Sequence, residues 1–339
     1  MRLLILTQAI DTDDRALGFF HRWVEEFAAR FDALEVVCLK EGVHALPHNV
    51  RVYSLGKEKG RSRAKYIFNF YRHVLSLRYD AVLVHMNEEY VLLGGWWWRL
   101  RGKKVVLWRN HKMGSWRTRL AVRLSSAVCY TSPDAFVAPY AKAVRMPVGI
   151  DTDFFKPASR VPAGGTILFL GRVDPVKKVE VFVGALVLLA APAHVELYGS
   201  PTEPGSPYAA AIAAQAQPLA LCGVLAMHPG VPHERTAELY RSHAIYVNLT
   251  PSGSFDKTIG EAMASGCAVV CANAAVRDVL PGELFVREIT PAAAAAALGA
   301  ALGLGDAARA ELARRNRDYV EREHSLKLLA GRLQAILTK

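Results

Sequence analysis

Short apolar runs alternate with longer amphipathic stretches along almost the whole chain. That alternation restricts the fold to a doubly wound α/β architecture with parallel sheets. Apolar runs at residues 3–7, 34–39, 81–84, 105–108, 127–130 and 144–146 read as strands of a first sheet, with helices between them. The helix expected over 18–30 carries Phe19, Phe20, Trp23, Phe27 and Phe31 at steps of about three and four, a stripe that faces a core. The segment PVGIDTDFFKPASRVPAGG, rich in proline and glycine, interrupts the pattern and reads as a linker. A second series follows, with strands expected at 166–170, 195–198, 219–222, 245–248 and 268–271, and a helical last third whose Ala-rich start at 291–300 sits behind Pro291. A length of 339 residues suits two domains. Their expected bounds are 1–147, a linker over 148–165, 166–322, and a C-terminal helix over 323–339 that packs back on the first domain.

With 52% hydrophobic and 22% charged residues the chain is a packed globular protein and not a disordered or collagen-like one. Its five cysteines, at 38, 129, 222, 267 and 271, form no C-x-x-C pair and leave an odd count, which points away from disulfides and zinc and toward a reducing cytoplasm. The opening MRLLILTQAI reads as a buried strand and not as a signal peptide. The longest other apolar stretch, 181–193, falls short of a membrane span of about 20 residues.

Charge is unevenly placed. Residues 1–150 hold 24 Lys and Arg against 13 Asp and Glu, the whole net charge of +11, and the rest is neutral. Most of the excess lies between Lys57 and Arg123, around Trp96, Trp97 and Trp98. Arg and Lys beside indole rings suit peripheral contact with an anionic membrane. The plain alternative is a solvated basic face beside a Trp cluster that is half core. No RNA or DNA module accompanies the basic face, so no nucleic acid is expected as a partner.

Two segments carry candidate chemistry. The strand at 166–170 runs into Gly171, Arg172 and, after four residues, Lys177. Ligands of open α/β sheets bind beyond the carboxyl ends of the strands, where an Arg and a Lys would neutralise a diphosphate. Two ordinary surface cations are the alternative. The second segment runs from Thr250 through a Gly/Ser loop to a helix that opens near Lys257, with Glu261 in its first turn or so and Gly266 at its end. Such a helix start is an anion site, and a carboxylate there can accept two ribose hydroxyls. Thr258-x-x-Glu261 also spells a capping box, which needs no ligand.

Taken together, the two segments resemble the family-4 retaining glycosyltransferases of the GT-B fold. That family carries a G-R-x(4)-K loop, matched at Gly171, Arg172 and Lys177. It also carries a P-S-x-x-E-G-F-G-x(3)-E-A-M-A-x-G block, matched at Pro251, Ser252, Phe255, Glu261, Ala262, Met263, Ala264 and Gly266. The join resembles the family's N-G-V-D-x(3)-F-x-P turn at Gly149, Asp151, Phe155 and Pro157. The resemblance covers about 146–270. It implies two Rossmann-like domains facing across a cleft, and transfer of a sugar from a nucleoside-diphosphate sugar to an acceptor hydroxyl with no cofactor and no metal. By it, Arg172 and Lys177 grip the diphosphate and Glu261 binds ribose. Gly253, Ser254, Phe255, Asp256, Lys257 and Thr258 face the donor sugar, and Val231 and Pro232 hold the base. His85 and His111, which follow strands of the first half, would lie near the reacting sugar, although a lone histidine is more often a satisfied polar core residue.

Three positions and one loop depart from the family pattern. Gly253 stands where the first of two glutamates is usual, Asp256 and Lys178 stand where glycines are usual, and residues 11–18 replace a Gly-Gly loop. Asp256 or Lys257 is the available substitute for the lost carboxylate. The D-x-D triplets Asp11-Thr-Asp13 and Asp151-Thr-Asp153 are too short to signal a metal. The acceptor implied is a glycan or lipid-linked glycan of the cell envelope, met by a cytoplasmic enzyme at the inner face of the membrane. The alternatives are a nucleotide-sugar epimerase, for which no acid/base carboxylate pair is visible, and a non-catalytic nucleotide-sugar-binding module.

Overall fold

A computed structural model describes residues 1–14, 17–158, 162, 164–190, 193–251 and 255–338. The chain divides into two compact units. Met1–Gly149, Pro232–Glu234 and Leu326–Lys339 make the first, and Ile150–Val231 with Arg235–Ser325 the second.

In the first unit β1 (Arg2–Ile10), α1 (Phe19–Ala28), β2 (Ala33–Glu41), β3 (Val50–Ser54), α2 (Arg63–Ser76), β4 (Ala81–His85), α3 (Glu88–Leu100), β5 (Lys104–Trp108), α4 (Trp116–Leu124), β6 (Ala127–Tyr130) and β7 (Ala143–Arg145) follow one another. The strands form one sheet of order β3-β2-β1-β4-β5-β6-β7, paired in parallel throughout. The two-residue period of a strand explains its double core. Leu3 and Ile5 of β1 face α1 and the helix Leu326–Thr338, packing with Phe20, Trp23, Phe27, Leu329 and Leu333. Leu4 and Leu6 point the other way, to Phe70 of α2, Val91 and Trp98 of α3 and Ala121 of α4. The strand β3 was not among the expected strands. Its burial is only partial, as suits an edge strand, so its sequence VRVYS lacks the apolar run that marks its neighbours.

The second unit runs β8 (Thr166–Leu170), α5 (Val179–Leu188), β9 (His194–Tyr198), α6 (Pro207–Leu221), β10 (Leu225–His228), α7 (His233–Ser242), β11 (Ile245–Asn248), α8 (Lys257–Ala264), β12 (Ala268–Cys271), α9 (Pro291–Leu302) and α10 (Asp306–His324), before α11 (Leu326–Thr338) joins the first unit. Its parallel sheet has the order β10-β9-β8-β11-β12. Strand order therefore reverses between β8 and β11, which places the topological switch point of this unit beside the ends of those two strands.

One expectation is corrected here. Residues 219–222 are not a strand: they lie at the end of α6, which Gly223 stops by taking φ 72, and the strand is β10. Leu221 is 81% exposed, on the outer side of this helix end. The division between the units, at Gly149, falls within the segment expected as a linker, and the described part that follows is packed on the second unit. Ile150 bridges to Ser325, its N–H donates to the His324 carbonyl at 2.9 Å, and Phe155 is buried against Tyr240. Arg317 of α10 ties this stretch down by donating to the carbonyls of Thr152 and Phe155 at 3.1 and 3.0 Å.

Candidate functional site

The loop after β8 and the loop after β11 leave the sheet side by side at the switch point. The first turns at Gly171, whose N–H donates to the Tyr198 carbonyl at 3.1 Å. Gly199 passes so close that an added Cβ would sit 2.1 Å from the Gly171 oxygen. Arg172 projects from this turn with its side chain 59% exposed, 3.5 Å from Asp174 and donating to Thr202 Oγ1 at 3.2 Å. Asp174 in turn accepts from Thr202 Oγ1 at 2.6 Å and its N–H at 3.2 Å; these bonds, against some desolvation, hold its carboxyl below the ordinary value. A single 3-10 turn, Pro175–Lys177, then aims Lys177 back over the sheet.

Lys177 meets Asp256. The ammonium donates to Asp256 Oδ2, and the two side chains are only 14% and 17% exposed. The same carboxylate accepts from Asn248 Nδ2 at 3.1 Å and, through Oδ1, from Thr258 Oγ1 at 3.0 Å and Thr258 N–H at 3.4 Å, which makes Asp256 the N-cap of α8. Burial alone would raise its pKa; the Lys177 charge and these donors outweigh that and hold it below the ordinary carboxylate value. Beneath it Tyr246 donates from its hydroxyl to Thr258 Oγ1 at 2.7 Å. Asn248, the last residue of β11, also orders the loop by accepting from Thr250 N–H at 3.0 Å.

The capping box expected at Thr258-x-x-Glu261 does not form, because the cap lies two residues earlier at Asp256 and Thr258 is already helical. Glu261 is 4% exposed in the interior of α8 and accepts from Tyr240 Oη at 3.2 Å. Burial, reinforced by the negative charge of Glu261, pushes the Tyr240 hydroxyl far above its ordinary value and keeps it a donor. Lys257, at the first position of α8, is pushed down to about 7 by desolvation, with Glu261 pulling the other way. Phe255 is buried and packs its ring 4.7 Å from His324.

Of the expected site residues, Gly171, Arg172, Lys177, Phe255, Asp256, Lys257, Thr258 and Glu261 thus lie around one switch point. Gly253 and Ser254 fall outside the described residues. Val231 and Pro232 follow β10 and precede α7, Val231 in the second unit and Pro232 grouped with the first. His85 ends β4 in the first unit, 3% exposed, its ring stacked at 4.2 Å on Phe20 and its Nδ1 3.4 Å from Thr7 Oγ1; His111 is exposed. Each D-x-D triplet is a local turn: Asp11 accepts from Asp13 N–H and pairs with Lys40, and Asp151 accepts from Asp153 N–H. Among the described residues no three His, Cys, Asp or Glu side chains gather where a metal could be held. Sequence reasoning missed Asn248, Tyr246, Tyr240, Asp174 and Thr202. The polar Asn248 closing an otherwise apolar strand was the available signal.

Residues 164–303 match the family model for glycosyl transferases of group 1. Among curated proteins, the chain is 31% identical over 183 residues to a D-inositol 3-phosphate glycosyltransferase of Nocardia farcinica. The match covers 48% of this chain and 40% of that protein. It is 33% identical over 144 residues to one from Streptomyces griseus, covering 39% and 30%. The chain thus spans less than half the length of these relatives. Among solved structures it is similar along its whole length to Anabaena HepE in complex with UDP and glucose, with a TM-score of 0.78 at 15% identity and all of both chains covered. A sucrose-phosphate synthase from Thermosynechococcus elongatus gives 0.76 at 17%, covering 100% of this chain and 98% of the other. The chain accordingly has the GT-B fold, and its residues 164–303 are similar to the glycosyl transferases of group 1, in the part of the chain that carries the motifs.

Proposed function

We propose that the chain is a retaining, metal-independent glycosyltransferase that moves a sugar from a nucleoside-diphosphate sugar to the hydroxyl of a glycan or lipid-linked acceptor. The observation that carries this reading is the coupling of the two motif loops at the β8/β11 switch point, where Lys177 of one is held by Asp256 of the other. An exposed guanidinium, a held ammonium and the start of α8 converge on the place where open α/β sheets bind phosphates. Charge builds on the departing diphosphate as the acceptor hydroxyl attacks from the same face of the sugar. Arg172 and Lys177 stabilise that charge, and the departing phosphate takes the acceptor proton, so no protein base is required. Glu261, held by Tyr240, is the ribose acceptor. Of the two N-terminal histidines, His111 is the one open to a ligand.

The reading extends to where the enzyme works: in the cytoplasm, with the first unit resting on the inner face of an anionic membrane. Its support is the outer surface of α2, α3 and α4, where Phe68, Trp96, Leu100, Trp116 and Leu120 are 58, 49, 75, 69 and 41% exposed among Arg and Lys. The Trp run divides as helical geometry requires. Trp98 is fully buried and donates to Tyr79 Oη at 3.0 Å, whereas Trp96 is half exposed and Trp97 lies under Arg101. No single helix among the described residues is long and apolar enough to cross a membrane.

The test is transfer from labelled UDP-, GDP- and ADP-sugars, with and without chelator, with the product anomer read by NMR. UDP is the first base to try, since HepE was solved with it. Arg172→Ala should lower transfer by about 100-fold or more, the usual loss on removing one group that stabilises transition-state charge, without changing stability. Lys177→Ala should do the same and also destabilise the second unit, because it leaves Asp256 without its counter-charge. Hydrolysis without transfer, binding without turnover, or an inverted product would each defeat the retaining-transferase reading.

A further inference from the structure

The first unit contains a pocket that the donor-site reading does not use. It has a volume of about 310 Å³, in the range of small-molecule sites, and opens between the end of β3 and the start of α2. Lys59, Arg61, Lys65 and Arg72 line it, with His73 and the polar floor of Tyr53, Ser54 and Asn69. Residues 65, 69, 72 and 73 recur at helical spacing, so one face of α2 forms a wall. Arg61 is brought in by a tight turn. Gly56 takes φ 101, Arg61 N–H returns to the Gly56 carbonyl at 3.2 Å, and a Cβ on Gly56 would sit 2.4 Å from Arg61 Cδ.

One carboxylate stands beside these four cations: Glu58 accepts from Ser54 Oγ, itself in the lining, at 2.8 and 2.9 Å and from Glu41 N–H at 3.3 Å, and against its desolvation these bonds and the Lys59 charge hold it below its ordinary value. Among the described residues Lys59, Arg61, Lys65 and Arg72 have no ion-pair partner; Lys65 instead lies over the Phe68 ring at 4.4 Å. Asn69 is fixed as floor by donating to the Leu55 carbonyl at 3.0 Å. Four like charges around one concavity repel each other unless an anion joins them, and the forked donors of arginine match a phosphate. We propose that this pocket binds a phosphate mono- or diester, presented by a soluble sugar phosphate or by the headgroup of an anionic lipid. Burial and the Arg72 charge hold the His73 imidazole below its ordinary value. Beside the pocket, the flank of α2 exposes Ile67, Phe68 and Leu75 at 44, 58 and 53%, an apolar border that a lipid source would cover.

The proposal does not depend on sugar transfer, and its test separates the two. The full chain is titrated with glycerol 3-phosphate in one arm and, in the other, with phosphatidylcholine vesicles that contain or lack phosphatidylglycerol. The variant is Arg61→Gln with Arg72→Gln, both exposed; a control of equal charge is Arg78→Gln with Arg145→Gln, also exposed and outside the pocket. Wild type and control should bind at least one phosphate probe, and the pocket variant should bind it about tenfold or more weakly, having lost two charge-assisted donors. Binding of glycerol 3-phosphate assigns a soluble source; binding confined to vesicles with phosphatidylglycerol assigns the lipid. The proposal fails if wild type binds neither probe, or if pocket variant and control lose affinity equally. Nucleoside diphosphate affinity is measured on the same proteins and should be unchanged in the pocket variant, so failure of the donor-site reading shows separately.

Discussion

Asp256 offers the sharpest test of how the two loops are held, because its two roles predict different mutant series. If the carboxylate only caps α8, Asp256→Asn should be nearly neutral and Asp256→Ala should cost about 1 kcal/mol. The contacts say otherwise. The groups that reach Asp256 donate to it: the Lys177 ammonium, Asn248 Nδ2, the hydroxyl and N–H of Thr258 and, at 3.5 Å, the Thr250 hydroxyl. Asparagine keeps one acceptor oxygen for the cap and turns an NH2 toward the donors Lys177 and Asn248, with only the distant Thr250 hydroxyl able to accept. Removing one partner of a fully buried pair costs about 3–5 kcal/mol, and the small residual exposure of this pair reduces that to about 2–3 kcal/mol. Both variants should therefore lose about 3 kcal/mol, the alanine through the unpaired lysine plus the cap and the asparagine through the unpaired lysine plus a misdirected amide. For a unit of this size that is a fall of about 6–12 °C in melting temperature. Urea unfolding followed by far-UV circular dichroism reads it. Trp fluorescence follows the first unit alone, since all six Trp lie within 1–149. The sign with pH is fixed as well. With its folded pKa held down, Asp256 contributes fully above the unfolded carboxyl value near 4, and the contribution is lost as pH falls through the lower folded value. The gap between wild type and both variants should close in acid. An asparagine variant as stable as wild type at neutral pH would refute the argument.

Three further outcomes are expected. Lys178 stands at φ 56, ψ 42, where the resembled motif has glycine, so Lys178→Gly should relieve left-handed strain and raise stability by about 0.5–1 kcal/mol; an unchanged or lower melting temperature contradicts this. Lys257, titrating at about 7 in the free protein, is raised by a bound diphosphate, so nucleotide binding at pH 8 should take up a proton; calorimetry giving equal heats in buffers of unequal ionisation enthalpy would disprove it. Glu261→Gln should weaken nucleoside diphosphate binding with little change in melting temperature, because glutamine still accepts from Tyr240 yet offers ribose half the acceptors; a shift in stability alone leaves Glu261 as a packing residue.

The parallel sheets were legible because buried parallel strands are continuous apolar runs that need no alternation, and most of the expected strands match observed ones within a few residues. What escaped was set by local exceptions. The run Leu219–Cys222 has strand-like composition, but a helix begun behind Ser206 carries through it until Gly223 turns left-handed. Edge strand β3 was hidden by its partial exposure. At the site, the cationic loop and the acidic helix start could be read from motif spacing. The network that joins them could not, since Lys177 reaches Asp256, 79 residues away, only when β11 lies next to β8.

On the proposed reading, that network also bears on what the departures from the family pattern exchange. The chain lacks a carboxylate at Gly253 and gains one three residues later, so the number of acidic groups near this helix start is unchanged while their use differs. Asp256 is saturated by donors from its own unit and spends its charge on Lys177, which leaves it with no free geometry for a sugar hydroxyl. On the proposed donor-site reading, Asp256 is then no replacement for the missing glutamate, and contacts to a transferred sugar would fall to Lys257, the cation that desolvation pushes down to about 7. A donor sugar recognised this way is bound by donors more than by acceptors. A panel of sugars should accordingly discriminate least where the motif's first glutamate would accept a hydroxyl hydrogen, and Gly253→Glu should sharpen that discrimination. An unaltered ranking of donors in Gly253→Glu would mean that the position does not face the sugar at all.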